Sequence, residues 1–301
     1  MTISLDLRAA QSHLIPALLL GALSIVLAVE SGILMPPRIF PGARVAPPPT
    51  VVVPARDFAV RPPGEFLQSG NPVGSPSRVV QQDAIEIMRF QVTAADYGRC
   101  VAAGACEPAK PRHSGTGDIP AVGVSFNDAQ AYATWLSSQT GRRWRLPTVE
   151  EWDFAAGPMA ADHGAQYPGS ADDPSALWLA QFDEQARDGG RGADARLKPI
   201  GGFGSNQLGV FDMGGNVWEW TSSCNARTTL DAAGKAISRV EVCGVRVLEG
   251  KTRMPMSAFV RDAKGGGCSM AVPPDNLGFR LVHESGLLER VSGWLQKMLG
   301  A

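Results

Sequence analysis

Short helices and short strands joined by long loops are the fold this sequence predicts, on three observations. The 301 residues include 34 glycines and 23 prolines, a content that favours turns over long helices. Helix starts at Thr93, Ser125 and Thr148 each carry an acid three residues on, and the helices they open stop at Gly104, Gly141 and Ala156. Residues 157–200 are rich in Gly, Ala and Asp with little periodicity.

In chain order, Leu14 to Val29 is an uncharged apolar run. Val26-Leu-Ala28 offers small residues for signal cleavage, while an extension to Met35 gives a helix near the roughly 20 residues that span a bilayer. The reading adopted for residues 1–35 is an uncleaved membrane anchor through 14–35, with signal-peptide cleavage the alternative. Residues 36–63 hold prolines at 36, 37, 41, 47, 48, 49, 54, 62 and 63 and read as an extended linker. Pro63 to Gly70 reads as an opening strand and Ala84 to Phe90 as a second, by alternation. Thr93 caps a helix carrying Cys100, Ser125 one that buries Ala129, Tyr132, Ala133 and Leu136, and Thr148 one that buries Trp152. Arg145 and Glu151 read as a structural ion pair. Asp275 to Val282 reads as the terminal strand. After it, Leu287, Leu288, Val291, Trp294, Leu295 and Met298 share one helical face, which makes 284–301 an amphipathic helix.

A net charge of −1 and the lack of a basic, aromatic-interleaved patch exclude electrostatic capture of nucleic acid. Five cysteines stand at 100, 106, 224, 243 and 268. Cys100 and Cys106 can close a local loop, and Cys224 and Cys243 bracket a further segment. Both pairings suit an oxidising compartment; a metal site is the rival reading, but Cys-x5-Cys is not a usual zinc spacing.

The densest stretch is Gly209 to Trp220, Gly-Val-Phe-Asp-Met-Gly-Gly-Asn-Val-Trp-Glu-Trp. Gly214 and Gly215 permit positive φ and close backbone approach, and Asp212 with Glu219 can then join backbone carbonyls around a hard cation such as calcium. A tryptophan-rich core turn with solvated acids is the competing reading.

Together with Gly141-Arg-Arg-Trp-Arg-Leu-Pro-Thr-Val-Glu-Glu-Trp152 upstream and Asp275-Asn-Leu-Gly-Phe-Arg-Leu-Val282 downstream, this stretch resembles the sulfatase-modifying-factor family, that of formylglycine-generating enzymes. The resemblance implies an α+β, C-type-lectin-like fold with low regular secondary structure over residues 64–283. It also implies a structural calcium site with side-chain ligands Asp212 and Glu219 and backbone ligands Gly215 and Val217. At the family's other calcium site the Asn ligand maps to Ala176, with Asp188 or Asp194 as its Asp, so a donor is missing. In the family's oxidases a thiol pair holds copper; here Arg246 to Pro255 occupies that register, and Pro255 and Val260 stand where the thiols belong. No copper is expected, because neither residue forms a thiolate. The iron-binding branch uses a histidine cluster, whereas His13, His113, His163 and His283 are scattered.

The expected function is that of an exported, non-catalytic accessory or assembly subunit for a periplasmic or membrane redox protein, tethered to the inner membrane. The alternative is a periplasmic oxidase of a peptide or siderophore side chain, as in pyoverdine maturation, with Arg253, Met254 and Met256 lining a groove and Arg261 holding an anionic substrate.

Overall fold

A computed structural model describes residues 45–110, 116–160, 197–250, 253–262 and 276–284. The expected anchor at 14–35, Ala176, Asp188, Asp194, Cys268 and all of the expected helix at 284–301 but Glu284, which ends a strand, lie outside them. Among the described residues no helix is long and apolar enough to cross a membrane.

Strands β1 (Thr50–Val53), β2 (Arg56–Val60), β3 (Glu65–Gln68), β4 (Asn71–Val73), β5 (Arg78–Gln82) and β6 (Ile85–Met88) precede the first helix. Thr50–Val53 and Arg56–Val60 fall inside the expected linker over 36–63 and correct that part of it. The prolines at 47–49 and 54 flank Thr50-Val-Val-Val without interrupting it, and a β-branched run packs well on a pleated surface. Accordingly β1 pairs antiparallel with β6, Val53 opposite Ile85, and Val53 is fully buried. The expected opening strand is therefore the third.

Helices α1 (Ala94–Ala102), α2 (Phe126–Thr140) and α3 (Val149–Ala156) start where the sequence places them. Ser125 and Thr148 form reciprocal capping boxes with Asp128 and Glu151. Thr93 accepts from the Asp96 amide, but the Asp96 carboxylate pairs with Arg99, so that box is half formed. Gly141 ends α2 in the left-handed region at φ 69°, as a C-terminal glycine does.

The later strands are β7 (Arg143–Arg145), β8 (Trp218–Leu230), β9 (Ala236–Glu249), β10 (Met254–Ser257), β11 (Leu277–Gly278) and β12 (Val282–Glu284). The expected terminal strand is thus two short pieces. One sheet runs β1-β6-β12-β7; another runs β10-β9-β8-β3-β4 with β11 parallel to β8; β2 and β5 form a third. Two hydrophobic clusters fill the fold, one around α1, α2 and Trp220, the other around Trp152, Phe154, Val210 and Ile87.

Both expected disulfides are present, Cys100–Cys106 and Cys224–Cys243. The first ties the end of α1 to the loop beyond it; the second links β8 to β9. Alkylation without reductant should therefore label one cysteine, Cys268, as read by mass. Labelling of all five would show that neither bond forms in the isolated protein.

Candidate functional site

The Gly209–Trp220 motif runs into β8 and places Glu219 between the two clusters. Strand alternation sends Trp220 into the first cluster, where its indole donates to the Val124 carbonyl. Glu219 itself is 1% exposed. Arg280 donates to both of its carboxylate oxygens, Nε to Oε2 and Nη2 to Oε1, each at 2.6 Å. Trp152 Nε1 adds a bond to Oε2 at 3.0 Å and Gln91 Nε2 one to Oε1 at 2.8 Å. Arg280 is itself fully buried. A lone arginine inside Leu277-Gly-Phe-Arg-Leu-Val282 is the signal for this pairing, because a buried guanidinium needs a buried acid.

The residues expected around calcium have separate tasks. Asp212, at φ 59°, accepts the Gly201 and Phe203 amides on its two oxygens and so holds the 201–203 loop. Within the motif positive φ falls on Gly209, Asp212, Gly214 and Asn216. Gly215 is required for a different reason: a Cβ there would lie 2.7 Å from the Phe203 ring. The Gly215 carbonyl and Glu219 Oε1 converge on Gln91 Nε2, at 3.2 and 2.8 Å, while Gln91 Oε1 is buried without a partner. Turning the Gln91 amide by half a rotation would bring that oxygen beside the other two, and three converging oxygens suit a hard cation. Gln91 would then join Gly215 and Glu219 as three of the six to eight oxygens a calcium ion takes, while both oxygens of Asp212, expected as a ligand, accept backbone amides of the 201–203 loop.

The expected groove is not one surface. Met254 and Met256 point inward from β10 at 8% and 6% exposure and belong to the core, because alternate residues of a strand share a face. Arg261 makes a bidentate pair with Asp128 at the start of α2, which leaves its fork occupied. Arg253 alone reaches a cavity, of about 380 Å³, with Arg56, Arg61, Ser77 and Asp153 in its wall. Arg145 and Glu151 form the structural pair expected of them. His283 lies against Glu86 and Arg142, each at 2.9 Å, in an ion cluster rather than a histidine group.

Arg253 binds Asp153 and Glu249 together. One guanidinium cannot neutralise two buried carboxylates, and burial first, then the Glu249 charge, push Asp153 up to about 8. A carboxyl raised in this way contributes stability fully below its ordinary value of 3.8 and loses it as pH rises to about 8. The unfolding free energy should therefore fall between pH 5 and pH 8 by up to about 4 kcal/mol, three pH units at about 1.36 kcal/mol each, and Asp153→Asn should largely remove that fall. An equal fall in the variant would assign the dependence to other groups.

The sulfatase-modifying factor enzyme 1-like domain model matches residues 38–285. The chain belongs to this family. Sulfatase-modifying-factor relatives include the mouse protein named inactive C-alpha-formylglycine-generating enzyme 2, 36% identical over 182 residues, which are 56% of this chain and 50% of that one. The formylglycine-generating enzyme of Thermomonospora curvata is 36% identical over 107 residues, 34% of this chain and 32% of that one. The chain therefore matches half or less of each of these relatives. Among solved structures, PvdO from Pseudomonas aeruginosa superposes with a TM-score of 0.51 at 24% identity, over 79% of this chain and 95% of that one, which shows the fold.

Proposed function

We propose that this sulfatase-modifying-factor domain performs no thiol-copper oxidation and acts by binding, as an exported, membrane-tethered accessory or assembly subunit for a periplasmic or membrane redox protein. The observation that carries this reading is the pair of residues where the family's oxidases have thiols. Pro255 is exposed on β10 and Val260 is buried, and four of the five cysteines are in disulfides. Without a thiolate pair there is no soft site for copper(I). Relatives named inactive and relatives named formylglycine-generating enzymes both match the chain, so the reading rests on the residues at 255 and 260.

Copper-loaded full chain should return a peptide carrying a sulfatase-type Cys-x-Pro-x-Arg motif with the mass of its cysteine unchanged. Pull-down from the native membrane fraction should recover a redox protein. Turnover that survives Cys268→Ser would overturn the binding reading, and turnover lost with that substitution would place the chemistry at Cys268.

Calcium is part of the proposal as a structural ion. The Gly215 and Val217 carbonyls, Glu219 and the turned Gln91 amide would hold it, and it would fix the motif in place by drawing these oxygens to one centre. Calcium in hundredfold excess over its dissociation constant adds about 2.7 kcal/mol, or roughly 5–10 °C for a domain of this size. Gln91→Met should abolish that increment, beyond a loss of about 1–3 kcal/mol in the chelator-treated protein from the two buried bonds the amide donates there; an increment that persists in the variant would remove Gln91 from the shell.

A further inference from the structure

Beyond its pairing with β10, the β8–β9 hairpin continues as an arm with an open edge. β10 covers only Val245–Leu248 of β9. Among the described residues no strand pairs with the outer edge of Ala236–Cys243, and every residue of that stretch is exposed. Ile237, Val240 and Val242 are 65%, 58% and 51% exposed. Soluble proteins guard such an edge, since its unpaired amides and carbonyls template another strand.

The charges on this edge do not guard it against its own kind. Alternation puts Arg239 and Glu241 on one face of the strand and Ser238, Val240 and Val242 on the other. Arg239 and Glu241 already attract each other at 3.0 Å and stay 41% and 51% exposed, so both remain open to a further partner. Ser238-Arg-Val-Glu-Val242 is self-complementary about Val240. An antiparallel copy with Val240 opposite Val240 sets each Arg239 opposite Glu241 of the other copy. The same register sets Val242 opposite Ser238, covering apolar surface on the second face. No like charges stand directly opposite one another in this register; the two Arg239 and the two Glu241 meet only as diagonal neighbours, farther apart than the opposite-charge pairs.

We propose that this arm pairs edge to edge with the same arm of a second copy of this chain, about a two-fold axis at Val240. Such an interface is isologous, the commonest form of closed association, and its main-chain bonds follow the strand-addition mode. The Cys224–Cys243 disulfide at the base of the arm holds both strands in one shape before they meet, which lowers the ordering cost of association.

Sedimentation of the full chain, kept in mild detergent because of its apolar run at 14–29, tests this across a concentration series. The parent should be a dimer that dissociates on dilution. Arg239→Glu and Glu241→Arg should each weaken it at least tenfold, since each places two like-charged pairs across the axis. Combined in one chain, the two reversals restore opposite charges and should return the parent's dissociation constant. Val240→Cys under oxidation should yield a disulfide-linked dimer, which reports the register even if a charge variant fails to fold. A parent that is monomeric at its highest soluble concentration overturns the proposal, whether or not the arm then captures a different protein. So does a dimer indifferent to all the arm substitutions, because it is held elsewhere.

Discussion

Replacing Glu219 by Ala is expected to lower the stability of the domain by about 3–5 kcal/mol, and Arg280→Ala by as much. Either change leaves an ion of opposite sign in the protein interior, with Glu219 1% and Arg280 0% exposed in the parent. The loss reaches beyond the pair. Trp152 on α3 and Gln91 before α1 both donate to the same carboxylate, so Glu219→Ala also frees two buried donors, one on a helix and one in the loop between β6 and α1. The double variant Glu219→Leu/Arg280→Met should be less destabilised than the sum of the two losses, because it removes both charges and keeps comparable volume. Urea unfolding of the three proteins decides the matter. A single loss under about 1 kcal/mol, or simple additivity, would mean that the pair is solvated and does not join the motif to the terminal strand.

The local elements were legible where a single residue fixes them. Ser125, Thr148 and Gly141 mark helix ends through hydrogen bonds and a left-handed φ that involve only their neighbours, and those ends stand where the sequence puts them. The linker reading misled at 50–60 because proline count dominates composition, whereas Thr50–Val53 becomes a strand through a distant partner, β6, with Thr50 opposite Met88 and Val53 opposite Ile85. A strand's existence depends on its partner more than a helix's does. The break between β11 and β12 has the same origin. Leu277–Gly278 pairs with β8 and Val282–Glu284 with β6 and β7, so one stretch of sequence serves two sheets.

The site was legible by residue and not by contact. Glu219 is where the motif matters, yet its partners Gln91, Trp152 and Arg280 come from three separate segments, and no spacing rule connects them. Strand period alone would have placed Met254 and Met256 in the core, since they flank the exposed Pro255. Arg253 and Arg261 each carry a charge that suits an anionic ligand, but charge alone cannot show that Asp153, Glu249 and Asp128 already hold them.

The second large effect is expected at Gly64, which fixes β3 against the base of the arm. At φ 116° this residue lies in backbone space that other residues enter only under strain. A Cβ there would stand 2.2 Å from the Ala226 carbonyl oxygen, with the Ala226 carbon at 3.0 Å and nitrogen at 3.2 Å. All three are backbone atoms of β8, held by β3 on one side and β9 on the other, so no side chain can turn away to make room. Gly64→Ala should therefore cost about 3 kcal/mol or more, the sum of backbone strain and overpacking. Gly70, at φ 82°, offers a control, since nothing lies within 4 Å of its added Cβ; Gly70→Ala should cost only about 1–2 kcal/mol for the left-handed backbone. The difference between the two variants in denaturant unfolding isolates the steric part. Equal losses would show that β3 can move off Ala226, and in that case the arm carrying Arg239, Val240 and Glu241 is not held rigidly at its base.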